Sequence, residues 1–271
     1  MTAHMVIDGY ALRVSVRGQG RPLLVLNGLG GNLEMLDDIR AALPGRTIAV
    51  DLPGTGGSPT PPYPLAVPCL ARLLWRLLDE LQIESVDVIG VSLGGALAQQ
   101  MAITHPDRVE QLVLVSTSWG AGGIPGHPRS WWALLSPVRY YRPGHYERLA
   151  KTLFGGRTAR EPELARTYGQ MRRSNPPKLL GHLWQLCAGS TWTTLPLLHR
   201  ITARTLVLTG DDDPLIPPVN SRVLAWRIPD AQLRVVPGGG HLMLLDAIAE
   251  VAPIITEFLS TPASSAVNAD G

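Results

Sequence analysis

The sequence predicts an α/β protein in which a mostly parallel, doubly wound sheet carries an inserted helical cap. Short runs of Val, Ile and Leu alternate with longer segments whose apolar residues recur at helical spacing. Loops rich in Gly, Asp and Pro follow several of the apolar runs, and one stretch, residues 119–194, interrupts the alternation. Such alternation implies parallel strands whose carboxyl ends meet at one edge of the sheet, where sites form.

The first part of the chain predicts six strands. Residues 5–17 form a hairpin that turns at Asp8-Gly9, a dipeptide favoured in two-residue turns. Further strands are predicted at residues 23–26, 47–50, 86–91 and 111–115, and helices at residues 33–43, 65–81 and 96–102.

After residue 194 the alternation resumes, with strands at residues 205–209 and 233–237 and helices at residues 219–227 and 247–259. We therefore divide the chain into a core (residues 1–118 and 195–260) and a cap (residues 119–194). The tail, residues 261–271, is small and polar, and we expect it to be disordered.

The composition is that of a soluble enzyme. The chain has 271 residues, of which 45% are hydrophobic and 17% charged, enough for one substantial core. It has no basic start followed by an apolar stretch, and no run near the ~20 apolar residues that span a bilayer. Cys69 and Cys187 share no motif, so we expect reduced, buried thiols and a cytoplasmic location.

The cap is basic and aromatic. It holds eleven Lys or Arg residues against three acidic ones, and five of the seven tryptophans. Single-stranded nucleic acid or an anionic, lipid-coated surface could bind such a segment. We favour a lid whose aromatic residues, Trp119 and Trp184 among them, line an apolar substrate pocket and whose arginines face solvent.

The strongest local signal is Gly90-Val91-Ser92-Leu93-Gly94, between an apolar run and a helical segment. A serine on such a tight strand-to-helix turn needs small residues two positions before and after it, as Gly90 and Gly94 provide. The turn exposes the hydroxyl at the edge of the sheet, so Ser92 is the candidate nucleophile.

A serine nucleophile needs a base and an acid that orients the base. Asp213 follows the strand at residues 205–209, and His241 follows the next strand, which gives the order serine, acid, histidine. We assign Asp213 as the acid and expect Asp211 and Asp212 to hold their loop. The strand that ends at Val115 is followed by no carboxylate, and no metal-binding spacing surrounds the three aspartates.

Two backbone N–H groups are expected to stabilise the oxyanion. One belongs to Leu93, and the other to Leu29 in the loop Asn27-Gly28-Leu29-Gly30-Gly31. Asn27 and Gly28 are also expected at the substrate, with Asn27 holding the loop through its side chain. The loop lacks the third glycine of a dinucleotide-binding site, so no cofactor is predicted.

These motifs resemble those of the α/β-hydrolase superfamily, and most closely the intracellular medium-chain-length polyhydroxyalkanoate depolymerases. The resemblance is carried by residues 90–100, 206–217 and 224–229 and, within the cap, by residues 136–140 and 184–189. It places the catalytic triad on Ser92, Asp213 and His241. Two positions depart from the family: Leu93 stands where Trp is common, and Gly31 where a less flexible residue is expected.

The resemblance implies hydrolysis of medium-chain 3-hydroxyalkanoate polyester or its oligomers through an acyl-enzyme, without metal or organic cofactor, at or near a storage granule. Nucleic acid is not an expected partner. Three alternatives stay open: a general carboxylesterase or lipase, a carbon–carbon bond hydrolase of the same fold, and a ligand-binding module without activity. The complete set Ser92, Asp213 and His241 argues against the last.

Overall fold

A computed structural model describes residues 1–261, which contain one eight-stranded sheet. Its strands are β1 (Thr2–Ile7), β2 (Tyr10–Arg17), β3 (Pro22–Leu26), β4 (Arg46–Val50), β5 (Val86–Val91), β6 (Val109–Val115), β7 (Arg204–Gly210) and β8 (Ala231–Val236). They lie in the order β1-β2-β4-β3-β5-β6-β7-β8. Strand β2 pairs antiparallel with β1 and β4, and all other neighbours are parallel. The mostly parallel sheet is therefore confirmed.

Twelve α-helices occur within the described residues. They are α1 (Asp37–Ala42), α2 (Val67–Glu80), α3 (Leu93–Thr104), α4 (Pro128–Leu135), α5 (Val138–Tyr141), α6 (His145–Leu153), α7 (Gly156–Arg160), α8 (Pro162–Ser174), α9 (Leu179–Ser190), α10 (Pro218–Arg227), α11 (Met243–Asp246) and α12 (Ile248–Ser260). Short 3₁₀ turns add Leu33–Leu36, Pro106–Arg108 and Leu195–Arg200.

Alternate residues of each buried strand face opposite sides of the sheet, and each side has its own core. Leu24 and Leu26 of β3 pack with apolar residues of α2, α3 and α10. Leu23 and Val25 pack instead with residues of α1, α11 and α12. Because both faces are covered, the central strands can be apolar throughout, as their sequences are.

The cap contains α4 to α9 and has a small core of its own. That core is built from Ala133, Tyr146, Ala150, Leu153, Phe154, Ala165 and Tyr168, with Leu242 from beyond β8. Leu242 directly follows His241, so the packing of the cap extends to the loop after β8.

Most predicted elements are present, with differences at their ends. The segment predicted as a helix at residues 33–43 starts as the 3₁₀ turn Leu33–Leu36 before α1. Helix α12 begins at Ile248, preceded by the separate short helix α11. The predicted disorder of residues 261–271 falls, beyond Thr261, outside the described residues.

The cysteine prediction is half wrong. Cys69 and Cys187 are both unpaired thiols, but both are exposed rather than buried. Each occupies a helix position whose neighbours, such as Leu70 and Ala188, point into the core instead. Within residues 1–261, every helix is too short or too polar to span a bilayer.

Candidate active site

Ser92 lies on a strained turn between β5 and α3. Its backbone has φ 53° and ψ −116°, a conformation that L-residues rarely adopt. A Cβ at Gly90 would collide with Gly94 O, and a Cβ at Gly94 would collide with Leu26 O and lie 2.7 Å from Asn27 O. The predicted need for small residues at these two positions is therefore a direct steric requirement.

The polypeptide backbone at Ser92 is held by neighbouring core strands. Its N–H donates to Val115 O at 3.0 Å. Its carbonyl oxygen accepts from Thr117 Oγ1 at 2.7 Å and from Gly95 N at 2.9 Å. The end of β6 thus supports the turn from the side.

His241 and Asp213 form a buried hydrogen-bonded pair. His241 Nδ1 lies 2.8 Å from Asp213 Oδ2, as expected for an Nδ1–H that donates to the carboxylate. The other carboxylate oxygen accepts from the N–H groups of Leu215 and Ile216, each at 2.9 Å. Asp213 is thereby fixed in orientation, and it can hold the imidazole with Nε2 free for proton transfer.

Ser92 and His241 line the same cavity. Among the hydrogen bonds of residues 1–261, none joins the two side chains. In a ligand-free active site such contacts are often long and tighten when substrate binds. The structure thus brings the aspartate and the histidine together, at a cavity that the serine also lines.

The two other aspartates of the loop have separate partners. Asp211 Oδ1 accepts from Gly238 N at 2.6 Å. Asp212 Oδ2 accepts from Gly156 N and from Arg160 Nη1, both at 2.9 Å. Both therefore hold loops, as the sequence suggested, and Asp212 joins the core to the cap.

The two candidate oxyanion donors face the cavity. Leu29 and Leu93 both line it, and within residues 1–261 neither backbone N–H has a hydrogen-bond partner. Leu93 is the first residue of α3, where a helix leaves N–H groups unsatisfied. The loop also approaches closely, because a Cβ at Gly28 would lie 3.2 Å from Ser92 Cβ.

Asn27 holds this loop through its side chain. Its Nδ2 donates to Asn32 O and its Oδ1 accepts from Gly28 N, both at 2.9 Å. A Cβ at Gly31 would overlap the Asn27 carboxamide. The departure at Gly31 therefore accommodates Asn27, and the two residues act together.

The cavity has a volume of about 620 Å³ and a mostly apolar wall. Besides the loop and turn residues, its lining includes Trp131, Leu134, Leu135, Leu186, Trp192, Leu215 and Leu245. Cap and core both contribute, so an apolar acyl chain would be enclosed between them.

Of the four predicted substrate-binding residues, Asn27 and Gly28 line the cavity, but Trp119 and Trp184 do not. Trp119, the first residue of the cap, is buried in the hydrophobic cluster that also contains residues of α2 and α3. Trp184 lies on another face of α9, where its Nε1 donates to Pro61 O at 3.1 Å. Trp131 and Trp192 occupy the expected place instead. Composition pointed to cap tryptophans, but which ones face the cavity depends on how the helices pack.

The expectation that cap arginines face solvent is wrong for Arg139 and Arg172, which are buried and line the cavity. Arg139 is held by backbone carbonyls, donating to Ala133 O, Leu134 O and Ser136 O through Nη1. Burial, with Arg139 as a cationic neighbour, lowers the pKa of His182 to about 4. His182 is therefore neutral at pH 7.

The chain matches known proteins over most of its length. Residues 21–248 match the family described as alpha/beta hydrolase fold. A poly(3-hydroxyalkanoate) depolymerase of Ectopseudomonas oleovorans is 47% identical over 267 residues, covering 96% of this chain and 93% of that protein. A 2-hydroxy-6-oxo-6-phenylhexa-2,4-dienoate hydrolase of Comamonas testosteroni is 30% identical, over 70% of this chain and 68% of its own.

Solved structures show the same architecture. A thermophilic esterase of Thermogutta terrifontis superposes with a TM-score of 0.80 at 26% identity. The match covers 96% of this chain and 98% of the esterase.

Proposed function

The chain belongs to the α/β-hydrolase family, and from this premise we propose that it hydrolyses medium-chain 3-hydroxyalkanoate polyester or its oligomers through an acyl-enzyme on Ser92. The 47% identical depolymerase supports the substrate class. The observation that carries the chemistry is the buried pair of His241 and Asp213, 2.8 Å apart, at the cavity that Ser92 lines.

In this mechanism His241 Nε2 takes the proton of Ser92 Oγ as the oxygen attacks the ester carbonyl. Asp213 holds the imidazole and stabilises the imidazolium that forms. The N–H groups of Leu29 and Leu93 stabilise the oxyanion, each contributing about 3 kcal/mol to lowering the barrier. His241 returns the proton to the leaving alcohol, and water then hydrolyses the acyl-enzyme with His241 as base.

The cap is proposed to cover the acyl chain. In this arrangement residues 1–118 and 195–260 supply the catalytic machinery, and residues 119–194 enclose the apolar side chain of the substrate. Leu93, which stands where larger residues are common, leaves room beside Ser92. The volume of about 620 Å³ suits a medium-length chain or a short oligomer.

We extend the proposal to a place at the surface of a storage granule in the cytoplasm. The cap exposes Trp132, Leu179 and Leu180, at 75%, 53% and 52% of their surface, on a segment with excess positive charge. Apolar side chains beside basic ones suit a hydrophobic particle with an anionic coat.

A second candidate is carbon–carbon bond hydrolysis of a ring-cleavage product. It is favoured by the 30% identical dienoate hydrolase, which the chain covers over two thirds of its length. A general carboxylesterase would use the same residues on simple acyl esters.

The test measures acid release from a medium-chain 3-hydroxyalkanoate oligomer and latex, beside p-nitrophenyl octanoate and a dienoate ring-cleavage product. Wild type is compared with Ser92→Ala and with Ser85→Ala, a serine beside the opposite end of β5. We expect the oligomer and latex to be hydrolysed, with activity lost in Ser92→Ala and kept in Ser85→Ala. Turnover of octanoate alone would indicate a general esterase, and turnover of the dienoate alone would contradict ester hydrolysis.

A further inference from the structure

The peptide group that joins Leu29 and Gly30 is held by side chains of the cap. Gly30 N donates to Gln185 Oε1 at 2.9 Å. On the other side of the peptide, Leu29 O lies 3.5 Å from both Tyr140 Oη and Arg172 Nη1, at the long end of hydrogen bonding. All three side chains come from α5, α8 and α9, more than 100 residues along the chain.

These side chains are buried and fixed by further contacts. Tyr140 has no exposed surface, and Gln185 is 3% exposed. The Tyr140 hydroxyl accepts from Arg139 Nη2 at 2.6 Å, and Arg139 is itself held by three backbone carbonyls. Gly30 packs directly on the phenol, since a Cβ at Gly30 would overlap it. The cap therefore presents a rigid surface to this peptide.

The core holds only the flanks of the same loop. Asn27 bonds to Gly28 N and Asn32 O, and Gly31 N donates to Gly28 O at 3.0 Å. Within residues 1–261, the N–H of Gly30 has Gln185 as its partner, and the cap supplies the donors near Leu29 O. Without the cap, the central peptide of this turn would lose its hydrogen-bond partners among the described residues.

We propose that Gln185 and Tyr140 are positioning residues for the oxyanion hole, an inference that rests on the proposed function. By fixing the Leu29–Gly30 peptide they restrict the backbone of Leu29, whose N–H stays available to the oxyanion. Displacing the cap would release this donor while leaving Ser92 in place. The cap would then control the chemical step as well as access to the cavity.

The expected effect is a loss in kcat. Removing one oxyanion donor typically costs about 10²- to 10³-fold in kcat. Loosening a donor costs less, so we expect Gln185→Met to lower kcat by about 10- to 100-fold. Gln185→Glu keeps an oxygen that accepts from Gly30 N, so it serves as the control for the hydrogen-exchange measurement, where its charge does not act on the reaction.

Two esters separate this role from simple contact with the acyl chain, because Gln185 also lines the cavity. Kinetics on p-nitrophenyl acetate and p-nitrophenyl octanoate are compared for each variant. A positioning role predicts the same fall in kcat for both esters with little change in KM. A fall confined to the octanoate, or a change in KM alone, would overturn it.

The neighbouring tyrosines give a matched pair. Tyr141 Oη donates to Pro177 O at 2.5 Å, within the cap and away from the loop. We expect Tyr140→Phe to lower kcat for both esters and Tyr141→Phe to leave it unchanged. Equal effects of the two variants would indicate general loosening of the cap and contradict the assignment of Tyr140.

Amide hydrogen exchange tests the same contact without relying on activity. We expect the Gly30 N–H to exchange at least tenfold faster in Gln185→Met than in wild type and Gln185→Glu, with exchange in β5 unchanged. Unchanged exchange at Gly30 would overturn the inference whatever the kinetics. A wild type inactive on every ester would contradict the proposed function, and the exchange result would still decide whether the cap holds this peptide.

Discussion

The turn at Ser92 and the loops around it face one cavity but are held by different parts of the molecule. Ser92 takes its backbone hydrogen bonds from Val115, Thr117 and its own helix, all in the core. Gly30 bonds to Gln185 of the cap, and His241 N donates to Phe154 O of the cap at 2.6 Å. The candidate nucleophile is thus held by the core alone, whereas the loops that carry Leu29 and His241 also have a backbone hydrogen bond to the cap.

Because of this difference, we expect changes in the two regions to affect different properties: the stability of the core in one case and the reaction rate in the other. The turn at Ser92 is close-packed, so damage there should lower the stability of the whole core. The cap holds Gly30 N and His241 N through one hydrogen bond each, so damage at these two contacts should reduce rates before it reduces stability.

The largest effect is expected at the acid loop, where adjacent aspartates face different partners. In Asp213→Asn the N–H groups of Leu215 and Ile216 keep the amide oxygen, so the amide NH₂ faces His241 Nδ1. The imidazole then takes the wrong tautomer, and kcat should fall by about 10⁴-fold. Asp212→Asn alters only the contact with Gly156 and Arg160 and should cost far less. Ester hydrolysis rates of the two variants check the assignment, and comparable losses would contradict it.

Gly94→Ala tests whether the turn at Ser92 is close-packed against the core. An alanine normally stabilises a helix position relative to glycine by about 1 kcal/mol. Here the added Cβ would collide with Leu26 O, so we expect the free energy of unfolding to fall by about 3 kcal/mol.

Gly189→Ala in α9 is the matched control, since its nearest contact would be Leu93 Cδ1 at 3.7 Å. Urea unfolding should show a small gain in stability for this variant. Equal behaviour of the two alanines would mean that the turn can relax and is not close-packed.

Acid should loosen the cap through His182, which is buried against Tyr140 with a ring separation of 5.3 Å. Because its pKa is lowered to about 4 in the folded state from 6.5, the unfolded state takes up the proton first as pH falls. The stabilisation that comes from keeping the ring neutral is therefore fully present above pH 6.5. As pH falls to 4, the free energy of unfolding decreases by up to about 3 kcal/mol.

Unfolding free energies at pH 7.5 and 4.5 check this prediction. His182→Gln should show a smaller drop than wild type, while His199→Gln, at an exposed position, should match wild type. An equal drop in all three proteins would place the acid sensitivity elsewhere.

The features that sequence could predict are local or arise from chain order. Gly90 reveals the turn because its Cβ would collide with Gly94 O, only four residues further along, whereas the requirement at Gly94 comes from Leu26 O at the end of β3. Asp213 and His241 could be predicted because each lies in the loop that follows a strand, and neighbouring parallel strands bring such loops together.

Features that depend on the packing of distant segments could not be predicted. Gln185 and Gly30 are 155 residues apart, and neither stands in a motif that indicates their contact. Trp119 was expected at the cavity as one of the aromatic residues of the cap, yet it is buried in the same core cluster as Trp192 and does not line the cavity. From the charge of the cap we expected its arginines to face solvent. Arg139 is instead buried, where it donates hydrogen bonds to backbone carbonyls that are brought together only when the cap folds.

The most direct test of the account is covalent labelling of the native protein with a fluorophosphonate, followed by mass spectrometry of its peptides. We expect one adduct per chain on Ser92, which is lost in Ser92→Ala and formed more slowly in Gln185→Met. An adduct on another serine, or full labelling of Ser92→Ala, would contradict the claim that the core-held turn carries the nucleophile.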